Sequence, residues 1–487
     1  MPIAALLLLA AVEGVRAQVD DDVEIGDRQD EVLMTSTSVG LGNYRLGEGV
    51  TFLSRTDSYK INLSGFVQTT AEMTRYNAVD PDREQWDRTY TRFRVRRARM
   101  RLNGYAFGGQ IRYRLGIDMV KGSETSDEGG AATLSDMYIQ WRPLSSKLIV
   151  SFGQRYSPAD NKESFMSSLS SEFAEKSKLT SAFAVSREVG LFIEGVYKLG
   201  TSQYLKPAVS LTDGSGPVSS AARYGGLKYG ARINYLPFGL FRMQGETRFG
   251  DLVYELAPKL SLGAAYSHAS RNPDRRGGDG GGPYLYKSSA AAPGSGATDD
   301  FLVFPTYSKA SVDLTFKYRG FFLFAEATKS WSTTPRDATY RLYADRRPTF
   351  GGFSVYDDAT GALLGANPDQ YIRNRMALGS AFNIQTSYMF RSMWDVALRY
   401  THLKSDDYSY LSSKTYYGRD NWYACSLSRW LTNTYAAKIQ LSYAITKPGD
   451  GYGRIVQDTV SSTGPPDSRT SFYGWENHVW LMFQLAF

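Results

Sequence analysis

Between positions 92 and 119 the chain reads RFRVRRARMRLNGYAFGGQIRYRLGIDM, with eight arginines, one aspartate and an apolar residue at every second position. Ala98, Met100 and Leu102 alternate with Arg97, Arg99, Arg101 and Asn103. Past Gly108 and Gly109, Ile111, Tyr113, Leu115, Ile117 and Met119 alternate with Arg112, Arg114, Gly116 and Asp118. A period of two belongs to β-strands, whose successive side chains point to opposite faces. The stretch therefore predicts two strands joined by a glycine turn, one face greasy and the other strongly cationic. No single solvent suits both faces.

The rest of the chain supplies the two solvents. Its 34 Tyr, 25 Phe, 8 Trp and 46 Gly, with few long apolar runs, suit many β-strands better than a helical or α/β enzyme. The 487 residues suffice for one large closed sheet. The only long apolar run is residues 3–12, followed by a small-residue cleavage pattern at Val15, Arg16 and Ala17, so residues 1–17 read as a secretory signal. Ten residues are too few for a membrane-spanning helix, which needs about 20. Residues 18–58 read as a polar periplasmic arm, acidic at Asp20, Asp21, Asp22, Glu24, Asp27, Asp30 and Glu31, ahead of a barrel over 59–487. The last stretch places Trp475, Val479, Leu481, Phe483, Leu485 and Phe487 on one parity and Glu476, His478 and Gln484 on the other. An alternating strand ending on Phe resembles the sorting signal of outer-membrane barrels. With Cys425 alone, no internal disulfide is possible.

Alternation and turn chemistry mark sixteen strands, over 59–75, 90–107, 109–120, 134–143, 147–156, 187–199, 202–212, 224–236, 252–270, 304–319, 320–331, 376–391, 392–405, 421–431, 433–446 and 472–487. Their connections alternate long and short. Short ones fall at Gly108, 143–146, 200–201, 319–320, 391–392 and Thr432, with 237–251 the one longer member of that set. Long ones cover 76–89, 121–133, 157–186, 213–223, 271–303, 332–375, 406–420 and 447–471. A soluble sandwich has no reason to gather its long loops on one side. A transmembrane antiparallel β-barrel has one, with short periplasmic turns and long extracellular loops. An even strand count also lets the first and last strands pair and removes the sheet's edges.

In such a barrel the apolar parity meets lipid and the polar parity lines a water-filled lumen. An arginine on the lipid face costs about 2–4 kcal/mol near the midplane, so the register is strongly determined. Phe93 and Val95 lie on the opposite parity from Ala98 and Met100, which predicts a bulge near Arg96 and Arg97, or a strand start beyond the bilayer. Lumen parity falls to Arg97, Arg99, Arg101, Arg112, Arg114, Arg142, Lys228, Arg232, Lys317, Arg319, Arg399 and Lys438, and to the fewer carboxylates Asp118, Asp136, Asp313 and Glu476. Rings of Arg and Lys mark anion pores. Two like charges ~5 Å apart cost roughly 3 kcal/mol at an effective dielectric of about 20, so the arginine cluster calls for water, counter-ions or a permeant anion. Residues 157–186 carry Phe165, Met166, Leu169, Phe173, Leu179 and Phe183, which predicts a loop folded into the barrel as a constriction. Its cations are Lys162, Lys176 and Lys178, with Arg187 following. The glycine-rich stretch 277–296 reads as mobile external surface.

Several stretches resemble the phosphate-selective porin family of the bacterial outer membrane. GVTFLSRTDSYKINLSGFVQ (49–68), with Asp57 and Gly65, is similar to that family's entry into its first strand, and FRVRRARMRLNG (93–104) to its Arg-rich second strand. LSDMYIQW (134–141), VSFGQRYSP (150–158), FAEKS (173–177) and REVG (187–190) follow in the family's order. FAEKS has Lys176 where the family pattern has Arg. The resemblance covers about residues 49–200 and implies a sixteen-stranded barrel, usually a homotrimer in the outer membrane, with basic residues along an anion path.

The expected function is thus a passive outer-membrane porin that prefers small anions such as phosphate, with no catalytic residues and no cofactor. A general or sugar-permeable porin is the alternative, and would use lumen aromatics such as Tyr138 and Trp480. A barrel phospholipase or protease would need a nucleophile and a base. Of the three histidines, His268 and His402 share lipid parity and only His478, beside Glu476, shares lumen parity. The scattered His and Cys offer no metal spacing, and the net charge of +7 belongs to the lumen and does not call for nucleic acid. The arginine strip argues for anions without choosing among them.

Overall fold

The computed structural model describes residues 43–487 apart from 81–82, 121–132, 186, 215, 217–225, 273–284, 289–301, 337, 343–352, 357–362, 413–418, 448–470 and 473–474. By internal contacts the chain divides into Met1–Thr37 and Ser38–Phe487, and every described residue belongs to the second unit. The expected signal at 1–17 and residues 18–42 of the expected arm lie outside the described residues, as does most of 277–296.

Sixteen antiparallel strands close on themselves. The first eight are β1 (Lys60–Asp80), β2 (Arg83–Ala106), β3 (Ile111–Asp118), β4 (Thr133–Trp141), β5 (Ile149–Arg155), β6 (Glu188–Glu194), β7 (Gln203–Thr212) and β8 (Lys228–Leu236). The second eight are β9 (Lys259–Ala269), β10 (Tyr307–Tyr318), β11 (Phe321–Trp331), β12 (Gly379–Met389), β13 (Trp394–Ser405), β14 (Asn421–Trp430), β15 (Ala437–Lys447) and β16 (Glu476–Ala486). Each pairs with its successor, and β16 pairs with β1 from Asn477↔Arg75 to Ala486↔Phe66, so no barrel edge is left open. At the seam Gly65 and Phe487 exchange both backbone hydrogen bonds, at 2.7 and 2.8 Å. Asn43–Arg45 and Gly49–Leu53, inside the segment expected as an arm, form a hairpin that pairs with the start of β1. Gly49 needs its positive φ of 83° there, and a Cβ would come within 2.0 Å of the Leu63 carbonyl oxygen.

The two faces separate as the alternation requires. Outward parity exposes Phe93 (84%), Phe152 (67%), Ile139 (61%) and Val312 (57%). Burying one such side chain is worth about 1.5–3 kcal/mol, so a belt of them around a closed sheet needs an apolar surrounding. Inward parity carries Gln68, Glu72, Asp136, Lys228, Asp313 and Gln440, all buried. The bulge expected near Arg96 is present: Gln68 pairs with Arg97 and Thr69 with Val95, so the extra residue returns Phe93 and Val95 to the outer face.

Two connections differ from the expectation. Residues 76–89 are mostly strand, since β1 and β2 stay paired out to Asp80↔Arg83. The hairpin outruns its apolar belt, and a reading based on apolar alternation stops where the belt stops. The strand expected over 252–270 begins only at Lys259. Residues 237–258 instead hold a short 3-10 turn at Arg242–Thr247 and bury Phe249, Asp251, Leu252 and Glu255. Their apolar residues imitate a strand but pack inside the barrel.

Candidate functional site

The interior is divided by residues 157–185, most of them buried. This segment holds two short helices, α1 (Lys162–Phe165) and α2 (Lys178–Phe183), and Ser177 caps α2 by accepting from the Thr180 N–H at 3.2 Å. Between them the chain passes through a 3-10 turn at Ser168–Ser170 and offers carbonyl oxygens to inward residues of the sheet. Ser168 accepts from Gln68 at 3.1 Å, Leu169 from Gln484 at 3.0 Å, Ala174 from Arg97 at 3.2 Å and Glu175 from Arg399 at 2.9 Å. Ser171 accepts from Lys438, and Asp160 from Arg232 at 3.2 Å. Such bonds satisfy a buried backbone that strands would otherwise have to satisfy. The Glu172 carboxylate adds side-chain bonds to the same wall, accepting from Gln385 at 2.6 Å and from Ser387.

Residues 237–258 meet this segment from the other end. Ser167 donates to the Thr247 carbonyl at 3.0 Å, and Phe249 donates its N–H to Ser170 Oγ at 3.0 Å. Phe249 packs with Met166, Phe322 and Phe324, and Leu252 with Met389, Trp430 and Tyr435. Alternation could not mark this second inward segment, because no strand period runs through it; its excess length within the short set was its one visible sign.

The cations named from parity fall into two groups. Arg97, Arg232, Arg399 and Lys438 hold the inward segment through its carbonyls. Lys228 pairs with Glu188 at 2.6 Å, Lys162 with Asp313 at 3.2 Å, and Arg232 with the same Asp313. Lys317 is fully buried, 5.3 Å from the Phe322 ring centre. Lys176 is spent inside the segment, on the carbonyls of Ser164 at 2.6 Å and Glu163 at 2.9 Å. Phe165 lies under Arg232 and Phe173 under Arg399, at 5.2 and 4.2 Å.

The second group stands half-buried along neighbouring strands. Arg99 pairs with Asp118 at 2.7 Å, Arg101 lies 5.7 Å from the Phe66 ring, Arg114 donates to Asn103 at 2.8 Å, and Arg142 donates to Gln140 at 2.8 Å. Arg112, register partner of Gln140, shares the same face. Arg155 on β5, not named from the sequence although its parity is legible, pairs with Glu194 at 2.6 Å between the Tyr138 and Phe192 rings. Arg187 lies 3.8 Å from the Tyr156 ring centre and 3.2 Å from Asp136. Across the bulge, Arg94 and Arg96 both grip Glu175, the former at 3.2 Å. Burial opposes charge on this loop carboxylate, but Arg96, Arg97 and Arg94 outweigh it and hold its pKa at about 2. Arg319 sits apart, exposed in the β10–β11 turn with φ 47° and 5.2 Å from the Tyr318 ring.

Of the histidines, His268 bonds Ser308 at 2.9 Å and His402 bonds Asn421 at 3.0 Å, both on outward parity, while His478 faces inward and bonds Thr74 at 3.1 Å.

Among solved structures the chain is similar to OmpT, an outer membrane protein of Vibrio cholerae (9% identity over 89% of this chain and 99% of that one, TM-score 0.45). It is also similar to the outer membrane channel DcaP of Acinetobacter baumannii (16%, 90% and 100%, TM-score 0.44). A third is an anion-selective porin from Comamonas acidovorans (11%, 88% and 100%, TM-score 0.46). These similarities are distant, and no residue role follows from them. A comparison with curated proteins gives no match. Residues 68–270, from within β1 to just past β9, match the family model described as phosphate-selective porin O and P.

Proposed function

We propose that this outer-membrane porin passes small solutes without catalysis and prefers anions, phosphate among them. Its aqueous path runs beside β2–β5, where Arg99, Arg101, Arg112, Arg114, Arg142 and Arg155 face the interior, and residues 157–185 narrow the rest. The observation that carries the reading is the pair Arg101 and Arg114 on adjoining strands. Among the described residues neither has a carboxylate partner, whereas Arg99 beside them has Asp118 and Arg155 has Glu194. Uncompensated guanidiniums in a hydrated, low-dielectric channel raise the local anion concentration and repel cations.

In this reading the short connections face the periplasm, the long ones face outward, residues 1–17 direct export, and three copies associate in the membrane. Lys178 and Arg319 of the sequence reading contribute by charge. The test is a planar-bilayer reversal potential of the purified chain in a tenfold KCl gradient. An anion-preferring sign is expected; a cation-preferring sign would remove the proposal.

A further inference from the structure

An aromatic strip on the interior wall has no part in the arginine path. Trp422 on β14 and His478 and Trp480 on β16 all carry inward parity. The His478 and Trp480 rings stack 5.5 Å apart at 10°, and the Trp422 and His478 rings 5.9 Å apart at 30°. Trp422 and His478 belong to strands on either side of β15. They meet because the intervening register partner of His478 is only Ala444. All three rings remain half-buried. A barrel interior is ordinarily polar, so a continuous aromatic surface there needs a reason.

Cations border the strip at both ends. Lys178 at the start of α2 places its ammonium 4.5 Å from the Trp422 ring centre. Trp480 is the register partner of Glu72, and Glu72 of Arg92, whose side chain is 61% exposed. The nearby carboxylates are engaged: Glu72 by Arg92 and Arg94 at 2.6 Å each, and Glu476 by Arg419. A sugar would stack on the same rings, but its hydroxyls would need acceptors, and these acceptors are taken. The balance at the strip favours a negative group.

We propose that Trp422, His478 and Trp480 form a subsite for organic anions with a flat aromatic body. The ring stacks on the strip, and its carboxylate meets Lys178 or Arg92. The subsite rests on the anion-channel reading and names a substrate class for it. One stacked ring is worth up to about tenfold in occupancy over a comparable anion without a ring.

The experiment is a titration of the KCl current through the full chain in planar bilayers with sodium benzoate, sodium acetate and maltotriose. Benzoate should reduce the current at about a tenfold lower concentration than acetate. Trp480→Ala and Trp422→Ala should each erase that difference, and Trp480→Phe should keep most of it. Each variant is first checked for a folded barrel by heat-modifiable gel migration, and the Phe variant decides if the Ala variants do not assemble. Equal potency of benzoate and acetate in a wild-type channel whose reversal potential is anion-preferring would overturn the subsite alone. A cation-preferring wild type would overturn the channel reading beneath it. A benzoate effect unchanged in both Ala variants, or a Trp480-dependent maltotriose block without a benzoate block, would also overturn the proposal.

Discussion

Arg101 and Arg97 are four positions apart on one strand and share one face, yet the proposed roles differ. Arg97 is buried between Gln68 and the Ala174 carbonyl, while Arg101 rests against Phe66 beside Arg114. Replacing Arg101 and Arg114 together with alanine removes charge without removing an anchor. The expected outcome is a several-fold drop in the anion-to-cation permeability ratio at nearly unchanged conductance, read from reversal potential and single-channel current. Lys438→Ala should do the reverse: it leaves the Ser171 carbonyl to Gln440 alone at 3.3 Å, loosens residues 157–185 and raises single-channel conductance with broader current levels. Parity made both cations legible as inward-facing. It could not separate them, because the partners that tie up Arg97 and Lys438 lie 77 and 267 positions away and belong to a segment without a strand period.

At the scale of elements, the bulge at Arg96 keeps two halves of β2 in one register with lipid. Deleting Arg96 would remove the bulge and still leave Phe93 and Val95 outward and Arg92 and Arg94 inward, because Val95 would then directly precede the inward Arg97. An unbulged strand that kept Arg96 would instead turn Arg92 and Arg94 outward, at about 2–4 kcal/mol each near the midplane. Retention of the heat-modifiable folded form after reconstitution into liposomes is the expected outcome, and loss of assembly would count against the bulged register. That bulge was legible because the sequence shows both halves of the parity change. The inward course of 237–258 was not, since Phe249 and Leu252 look alike whether a strand or a plug buries them. Phe249→Ala removes a side chain packed at 6.3 and 6.1 Å from the Phe322 and Phe324 rings. Such truncations in packed sites cost about 3–5 kcal/mol. Here the loss falls on the plug, so conductance should rise while the barrel still migrates as folded.

For the whole molecule, closure follows from a simple requirement: in lipid every backbone group must be satisfied within the protein, and pairing β16 with β1 leaves no open edge. The sixteen strands and their two-faced character could be read in advance because lipid and water impose the same period on every strand. What fills the barrel could not, because it depends on which residues meet across it. The central claim is that the segment at 157–185, held by inward residues of β1, the first half of β2 and β8–β16, leaves the aqueous path beside Arg99 and Arg101 of β2 and the arginines of β3–β5. Cysteine accessibility tests this most directly. In a Cys425→Ser background, which removes the native exposed thiol, single cysteines are placed at Arg114 and at Ser426 and treated with a negatively charged methanethiosulfonate during bilayer recording. The channel with cysteine at 114 should react within seconds and lose current, while that with cysteine at 426, covered by Glu172, should react far more slowly. Fast block through position 426 with no effect through position 114 would contradict the claim.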